Sequence, residues 1–225
     1  MFIHFSTVTK MPCPAWGIPA ALCITGQKLI REGAAHGIPY VCRVCYAQCG
    51  PTMFEDSQKL LLKNWEAYIV NPLAWEIAIA KKIWADYNCL FFWWFHSGDL
   101  QSLDMLIHIC CVAERCPQTQ FWLPTQESAL VEEYFSVHAD TIPPNLTIRV
   151  SSPVIDKVPA PSKIPGVCNS MVCYFKGTNC AAELHNSQCG TCRKCWDRLE
   201  PLVAYPLKVG KHYRPTGTAK RLGLI

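Results

Sequence analysis

The chain has 225 residues, of which half are hydrophobic and 15 are cysteine, and its formal charge is only +4. A domain of this length buries roughly 70–75% of its unfolded surface and folds without a metal staple, and an odd number of thiols is never fully paired within one chain, so the cysteines read as chemistry rather than as a disulfide frame. Met1-Phe2-Ile3-His4-Phe5 lacks the basic stretch and long apolar core of a secretory signal, and the most apolar run, residues 90–95, falls far short of the roughly 20 that span a bilayer; the expectation is a protein of a reducing cytosol, its thiols available to metals.

Residues 12–50 read as a loop-rich stretch around Cys13, Cys23, Cys42, Cys45 and Cys49. Residues 59–68 place Leu61, Leu62, Trp65 and Tyr68 close to a helical period. Asn71 and Pro72 then supply a cap and a first-turn proline for a second helix running to about residue 87. A buried strand over residues 89–95 ends in the turn His96-Ser97-Gly98-Asp99. Leu103, Leu106, Ile107, Cys110 and Cys111 mark one face of a helix over 103–115. Strand 120–123, helix 127–138 and, after the breaker Pro143-Pro144, strand 146–150 continue the alternation. Residues 153–165 are studded with proline, and a second cysteine-rich segment covers 166–200. Strand and helix in alternation imply parallel pairing with right-handed crossovers. The fold class is therefore α/β: a TIM-barrel-like parallel barrel, full or partial, in a single domain 1–225 with irregular cysteine-rich segments at 11–50 and 166–200.

Reactive groups of such arrays sit beyond the carboxyl ends of the strands. Those ends supply His96 and Asp99 as catalytic candidates, with Ser97, Glu127 and Arg149 as residues lining a bound group. The blander alternatives are that Asp99 or Ser102 caps the next helix and that Arg149 pairs with a structural carboxylate. Cys180, Cys189, Cys192 and Cys195 form the pattern C-x8-C-x2-C-x2-C. Three thiols at successive two-residue gaps match the way ferredoxins hold an iron–sulfur cluster, whereas structural zinc sites use two separated C-x2-C knuckles. Arg193, Lys194 and Arg198 lie nearby in sequence to favour deprotonation. Cys13, Cys23, Cys42 and Cys45 form a looser second set, in which Cys13 and Cys23 are the weaker members, since a buried cysteine often only packs. A 4Fe-4S cluster is the expected cofactor and zinc the alternative. Cys89, Cys110, Cys111 and Cys116 read as packing residues. Five Lys or Arg residues with no acid between Lys208 and Arg221 keep nucleic-acid binding as a second class, but Trp93 and Trp94 read as buried rather than as a stacking surface.

Met11-Pro12-Cys13-Pro14, Cys23-Ile24-Thr25-Gly26, Cys42-Arg43-Val44-Cys45-Tyr46-Ala47, Trp94-Phe95-His96-Ser97-Gly98-Asp99-Leu100, Trp122-Leu123-Pro124-Thr125, Ile148-Arg149-Val150-Ser151 and Cys192-Arg193-Lys194-Cys195-Trp196, in that order over about residues 10 to 200, resemble the bacteriophage gene product eighty-eight family. The resemblance implies a phage-encoded protein of the infected host's cytoplasm, with a barrel-like fold similar to radical S-adenosylmethionine enzymes and an iron–sulfur cluster. Those enzymes carry C-x3-C-x2-C, whereas Cys42, Cys45 and Cys49 present the gaps in reverse, and no glycine-rich phosphate loop supplies another cofactor. Electron transfer, redox sensing or non-standard cluster chemistry is therefore expected, with a redox partner or small-molecule substrate. The alternatives are a zinc-stabilised nucleic-acid-binding or structural protein, and a radical S-adenosylmethionine-type enzyme.

Overall fold

Side-chain caps set two helix boundaries. Asn71 Oδ1 accepts from the Ala74 amide at 2.9 Å and Ser102 Oγ from the Met105 amide at 3.1 Å, each satisfying a donor that the first helical turn leaves open. In the computed structural model, which describes residues 1–87, 90–138, 142–174 and 177–207, the helices are α1 (Ile24–His36), α2 (Glu55–Val70), α3 (Pro72–Lys82), α4 (Leu103–Arg115) and α5 (Ser128–Val137). The strands are β1 (Ser6–Thr7), β2 (Pro14–Trp16), β3 (Phe91–Trp94), β4 (Gln120–Thr125), β5 (Leu146–Ser151), β6 (Val167–Cys173) and β7 (Leu202–Pro206).

The strands form one sheet in the order of the sequence, β1 antiparallel to β2 and every later neighbour parallel. Alternation along the strands divides its two faces. On one face Phe92, Trp94, Phe121, Leu123, Leu146 and Ile148 share a core with Ala67, Trp75, Leu106, Ile109 and Val131 from α2 to α5; this is the helix face. On the other, Ala15, Trp93 and Trp122 pack with Trp196, which lies in the connection from β6 to β7; this is the loop face. Trp122 on β4 and Tyr205 on β7 have ring centroids 6.2 Å apart, although strands spaced at about 4.8 Å put those backbones some 14 Å apart in a flat sheet. The loop-face side chains therefore lean together over β5 and β6.

The β3–α4–β4–α5–β5 succession follows the predicted elements, α4 with the same bounds and the others within a few residues. Among the described residues the sheet stays open, with β1 and β7 at its edges, so of the full or partial barrel expected the full one is ruled out and the fold is an open mixed α/β array. Six parallel strands are too few to close as the eight-unit barrel does. Residues 12–50, read as loop, contain β2 and α1, because two glycines and the surrounding cysteines dilute the apolar pattern of ITGQKLIREGAAH. The cysteine-rich stretch 166–200 begins with β6, whose residues are nearly all buried. Connections differ too. The proline-studded β5–β6 segment reaches β6 where the Ser162 amide donates to Asn169 Oδ1 at 3.0 Å. The β6–β7 connection runs over the loop face and so has the opposite hand from the helical crossovers. Cys89 and the basic stretch from Lys208 onward lie outside the described residues.

Candidate functional site

Two separate groups of thiols come together on this frame. The first gathers at the carboxyl edge of β3 and β4. Cys23 sits at the amino end of α1; Cys42 lies in a short 3-10 turn, Val41–Val44, and Cys45 follows it. Gly26, in the first turns of α1, leaves the space between them: a side-chain carbon there would stand 2.9 Å from Cys23 Cβ, 3.6 Å from Cys42 Sγ and 3.8 Å from Cys23 Sγ. Burial pushes the Cys42 thiol up to about 12, with Cys45, Asp99 and Glu127 adding to it. Cys23 is raised by burial and then by Asp99, Cys45, Cys42 and Glu127. Cys45 is raised by burial as well, but the backbone N–H groups of Ala47 and Gln48 point at its sulfur and oppose the rise. Donors of that kind stabilise a thiolate. The Tyr46 hydroxyl, also held protonated by burial and by Cys45 and Cys23, donates to the His96 carbonyl at 3.0 Å.

The strand-end polar residues surround this group, and the carboxylates among them have architectural partners. Asp99 Oδ1 accepts from the Leu100 amide at 2.8 Å and from Thr125 Oγ1 at 2.6 Å, and Oδ2 from the Gln126 amide at 2.8 Å. It thereby ties the end of β3 to the end of β4. Burial raises its pKa to about 7, the three donors opposing. Glu127 clamps α1, its two oxygens accepting from the Thr25 amide at 2.8 Å and the Thr25 hydroxyl at 2.7 Å. His96 is 8% exposed; burial lowers its pKa to about 4, the Trp16 carbonyl opposing, so the imidazole is neutral at pH 7. Its Nδ1 and the Ser97 hydroxyl are buried without a hydrogen-bond partner among the described residues.

The second group lies on the loop face. Cys195 is raised to about 12 by burial, with the Tyr205 hydroxyl 3.3 Å from its sulfur and Arg149 both opposing, and Cys180 and Cys189 adding. Cys189 is raised by burial and Cys180, opposed by Lys10 and Arg193, with Cys192 also close enough to act on it. All four thiols of the C-terminal pattern therefore share one neighbourhood, and unlike the first group it contains cations. The loop is pinned from both sides, the Cys189 amide donating to the Lys10 carbonyl at 2.9 Å and the Cys180 amide to the Ala204 carbonyl at 3.2 Å.

Arg149 holds this loop in place. Its side chain is fully buried, and its five N–H donors all go to carbonyls: Nε to Cys195 at 3.0 Å, Nη1 to Asn169 at 3.2 Å and Glu200 at 2.9 Å, Nη2 to Lys194 and Asp197 at 2.7 Å each. No carboxylate pairs with it among the described residues. The expected structural carboxylate is thus replaced by backbone, and Arg149 lies with the C-terminal thiols rather than the strand-end group. Of the other cations near those thiols in sequence, Arg198 turns away to the Pro143 and Leu146 carbonyls and Lys194 pairs with Glu200 at 3.7 Å.

The N-terminal set divides. Cys13 is buried in the loop-face cluster with Trp93, Trp122 and Trp196, against which Cys195 also packs, so it belongs with the second group. Cys110 and Cys116 sit in the helix-face core. Cys23, Cys42, Cys45, Cys180, Cys189, Cys192 and Cys195 are free thiols. Among the described residues no group of three or more His, Cys, Asp or Glu side chains is drawn in to the positions that one metal ion requires, and no helix is long and apolar enough to cross a membrane. Sequence inspection missed Gly26, Tyr46, Lys10 and Tyr205. Gly26 and Tyr46 follow cysteines within the motifs Cys23-Ile24-Thr25-Gly26 and Cys45-Tyr46, a signal that was present, whereas Lys10 and Tyr205 reach the site only through tertiary contact.

No curated protein and no solved structure matches this chain. The model of the family described as Gene product 88 matches residues 5–176, which takes in the strand-end thiols and stops short of the C-terminal group. The chain belongs to the Gene product 88 family.

Proposed function

We propose that the chain is an iron–sulfur protein of redox function, with Cys180, Cys189, Cys192 and Cys195 as the thiols that hold a 4Fe-4S cluster. The observation that carries this reading is Arg149. A buried guanidinium without an anion is expensive, because carbonyl dipoles return only part of the lost hydration. A cluster on four thiolates is anionic, and Arg149, Lys10 and Arg193 are the charges that would balance it. The donor chemistry fits: thiols alone, with Trp122, Trp196 and Tyr205 packed beside Cys195 and positive charge at hand. A single zinc ion, with sulfurs at about 2.3 Å, suits the thiols less well as they stand, since they do not close on one point. A cluster of several irons spaces its thiolates more widely. When bound it would accept and donate single electrons.

The residues of this chain would set that exchange. Arg149 and the Tyr205 hydroxyl stabilise the anionic sulfur of Cys195, and the aromatic rings packed beside it keep water from it. Cys23, Cys42 and Cys45 form a further thiol set at the edge where α/β proteins place reacting groups, beside His96 and Asp99. A one-electron partner or a small-molecule substrate at that edge, and the cytoplasm of a phage-infected bacterium as the setting, belong to the same proposal. Purification without oxygen followed by visible spectroscopy and iron and sulfide assays tests it. Brown protein that loses its colour when Cys189, Cys192 and Cys195 are replaced by serine is expected; colourless protein holding stoichiometric zinc would overturn it.

A further inference from the structure

Cys42 and Cys45 form a C-x-x-C pair in the segment that leads from α1 into α2, the spacing of redox-active dithiols. The chain between them makes a single 3-10 turn, closed by the Cys45 amide donating to the Cys42 carbonyl at 3.4 Å, and side chains three residues apart in such a turn stand over one another. The ends of a closed turn lie within about 7 Å. A disulfide needs α-carbons about 4.4–6.8 Å apart, so the turn presents the pair at disulfide range. Gly26 leaves the flank of Cys42 open, since a side-chain carbon there would already touch its sulfur at 3.6 Å. Both thiols are partly exposed, whereas Cys110 and Cys116 are shut in the core. The two are not equivalent: the Ala47 and Gln48 amides point at the Cys45 sulfur. Cys49, the next thiol along the chain, is turned instead to the Tyr46 carbonyl at 3.3 Å.

We propose that Cys42 and Cys45 are a metal-free redox dithiol that exchanges with small-molecule disulfides, Cys45 as the attacking thiol and Cys42 as the one that resolves the intermediate. This goes beyond the iron–sulfur reading and stands without it. The Cys45 sulfur, as a thiolate, attacks one sulfur of the bound disulfide; that sulfur–sulfur bond breaks, a mixed disulfide forms on Cys45, and the departing thiolate takes up the proton that Cys45 gave up. Cys42 then attacks the Cys45 sulfur in the same way, closing the bond between them and releasing the second half of the substrate as a thiol. The pair loses two electrons and two protons, and the small disulfide gains both. An external dithiol returns the pair to the reduced form. Tyr46, next to Cys45, donates its hydroxyl to the His96 carbonyl at 3.0 Å, which fixes the pair against the strand-end turn where α/β proteins receive their ligands. Donors to the Cys45 sulfur stabilise it both as the attacking thiolate and as the leaving group when the pair is reduced again.

The test incubates the full chain, reduced and freed of reductant without oxygen, with oxidised glutathione. Free thiols are then alkylated and the chain is digested with trypsin, without reduction, for mass spectrometry. Cleavage after Arg43 places Cys42 in the peptide 32–43 and Cys45 in the peptide 44–59, so the two peptides joined report the bond. They are expected joined in the unaltered chain, with Cys49 alkylated, and joined equally in Cys49→Ser. Cys42→Ser should stop at the intermediate, with one glutathione held on Cys45. Cys45→Ser should lose the link and take up glutathione on Cys42 about tenfold or more slowly than Cys42→Ser takes it up on Cys45, a barrier difference of about 1.4 kcal/mol. Peptides 32–43 and 44–59 recovered unjoined and fully alkylated from the unaltered chain would overturn the proposal, a result that no misfolded variant can mimic. So would a link from 32–43 to the Cys23 peptide 11–28 in place of 44–59, or a link that persists in Cys45→Ser. None of these outcomes touches the C-terminal thiols, whose cluster is read by colour and iron.

Discussion

Replacing Arg149 by Met should release the β6–β7 connection before it disturbs the rest of the sheet. Five hydrogen bonds from a charged donor are lost together. Of the carbonyls they served, Lys194 keeps the Asp197 amide at 3.2 Å and Asp197 keeps the Glu200 amide at 3.3 Å, whereas Cys195 and Glu200 keep no other donor among the described residues. Two buried carbonyls without a partner cost about 1–3 kcal/mol each. The relief of not burying a charge offsets part of this, leaving a net loss on the order of 2–4 kcal/mol. For a domain of this size about 2–4 °C accompanies each kcal/mol, so the thermal midpoint should fall by about 4 °C or more. Circular dichroism melting gives the midpoint, and limited proteolysis under native conditions should place the first cut within residues 177–201. Arg149→Lys keeps the charge but at most three of the five bonds, and should fall between the two. A midpoint within about 2 °C of the unaltered chain would refute the account of Arg149 as the staple of this loop.

Further perturbations test the strand-end group. Gly26→Ala should destabilise by about 1–3 kcal/mol in urea titration, because a methyl 2.9 Å from Cys23 Cβ outweighs the gain in helix propensity. Glu127→Ala frees the Thr25 amide and hydroxyl and should lower stability by about 1–2 kcal/mol, read as an earlier urea midpoint. Asp99 has a folded pKa of about 7, above its unfolded value of about 3.9. Its contribution is therefore fully present below about pH 4 and is lost as pH rises through about 7. The stability advantage of the unaltered chain over Asp99→Asn should accordingly be larger at pH 5 than at pH 8, by about 1.4 kcal/mol for each tenfold gain in proton affinity that folding confers on the carboxylate, and an advantage that grew with pH would contradict the burial argument.

The middle of the fold was legible and its ends were not, for a physical reason. Helix α4 announces itself through the Ser102 cap and a continuous apolar face, and β3 through its run of aromatic residues. Helix α1 and strand β6 carry cysteines and glycines where such signals need leucine or valine, so Gly26 and Gly33, which allow close approach, hide the helix they belong to. At the site, spacing marked the thiols but not their partition. Cys13 precedes β2's buried Ala15, and alternation along that strand puts it on the loop face, away from Cys23. Asp99 and Glu127 were recognisable as strand-end carboxylates, yet their partners are the Thr125 and Thr25 hydroxyls and the Leu100, Gln126 and Thr25 backbone amides. Backbone partners leave no mark on a sequence, and Arg149, bound wholly to carbonyls, was the least legible residue of all.

The hand of the β6–β7 connection bears on the C-terminal thiols independently of any metal. Parallel strands are overwhelmingly joined by crossovers of one hand, and in this chain the helical connections all run over the helix face. The β5–β6 connection shows that a segment without a helix suffices to bridge two strands. The β6–β7 segment instead crosses to the loop face, where it must be tied down. Trp196 fills the space between Phe91 and Trp122 and donates its indole N–H to the Phe92 carbonyl at 2.9 Å. Thr147 Oγ1 donates to the Trp196 carbonyl at 2.7 Å, and Arg149 supplies its five bonds. All three ties converge on residues 194–200, next to Cys192 and Cys195. These ties satisfy buried carbonyls of the connection and of β3, with Arg149 adding a buried positive charge. Under the proposed function the same ties would hold the thiols in place, with the Arg149 charge beneath them.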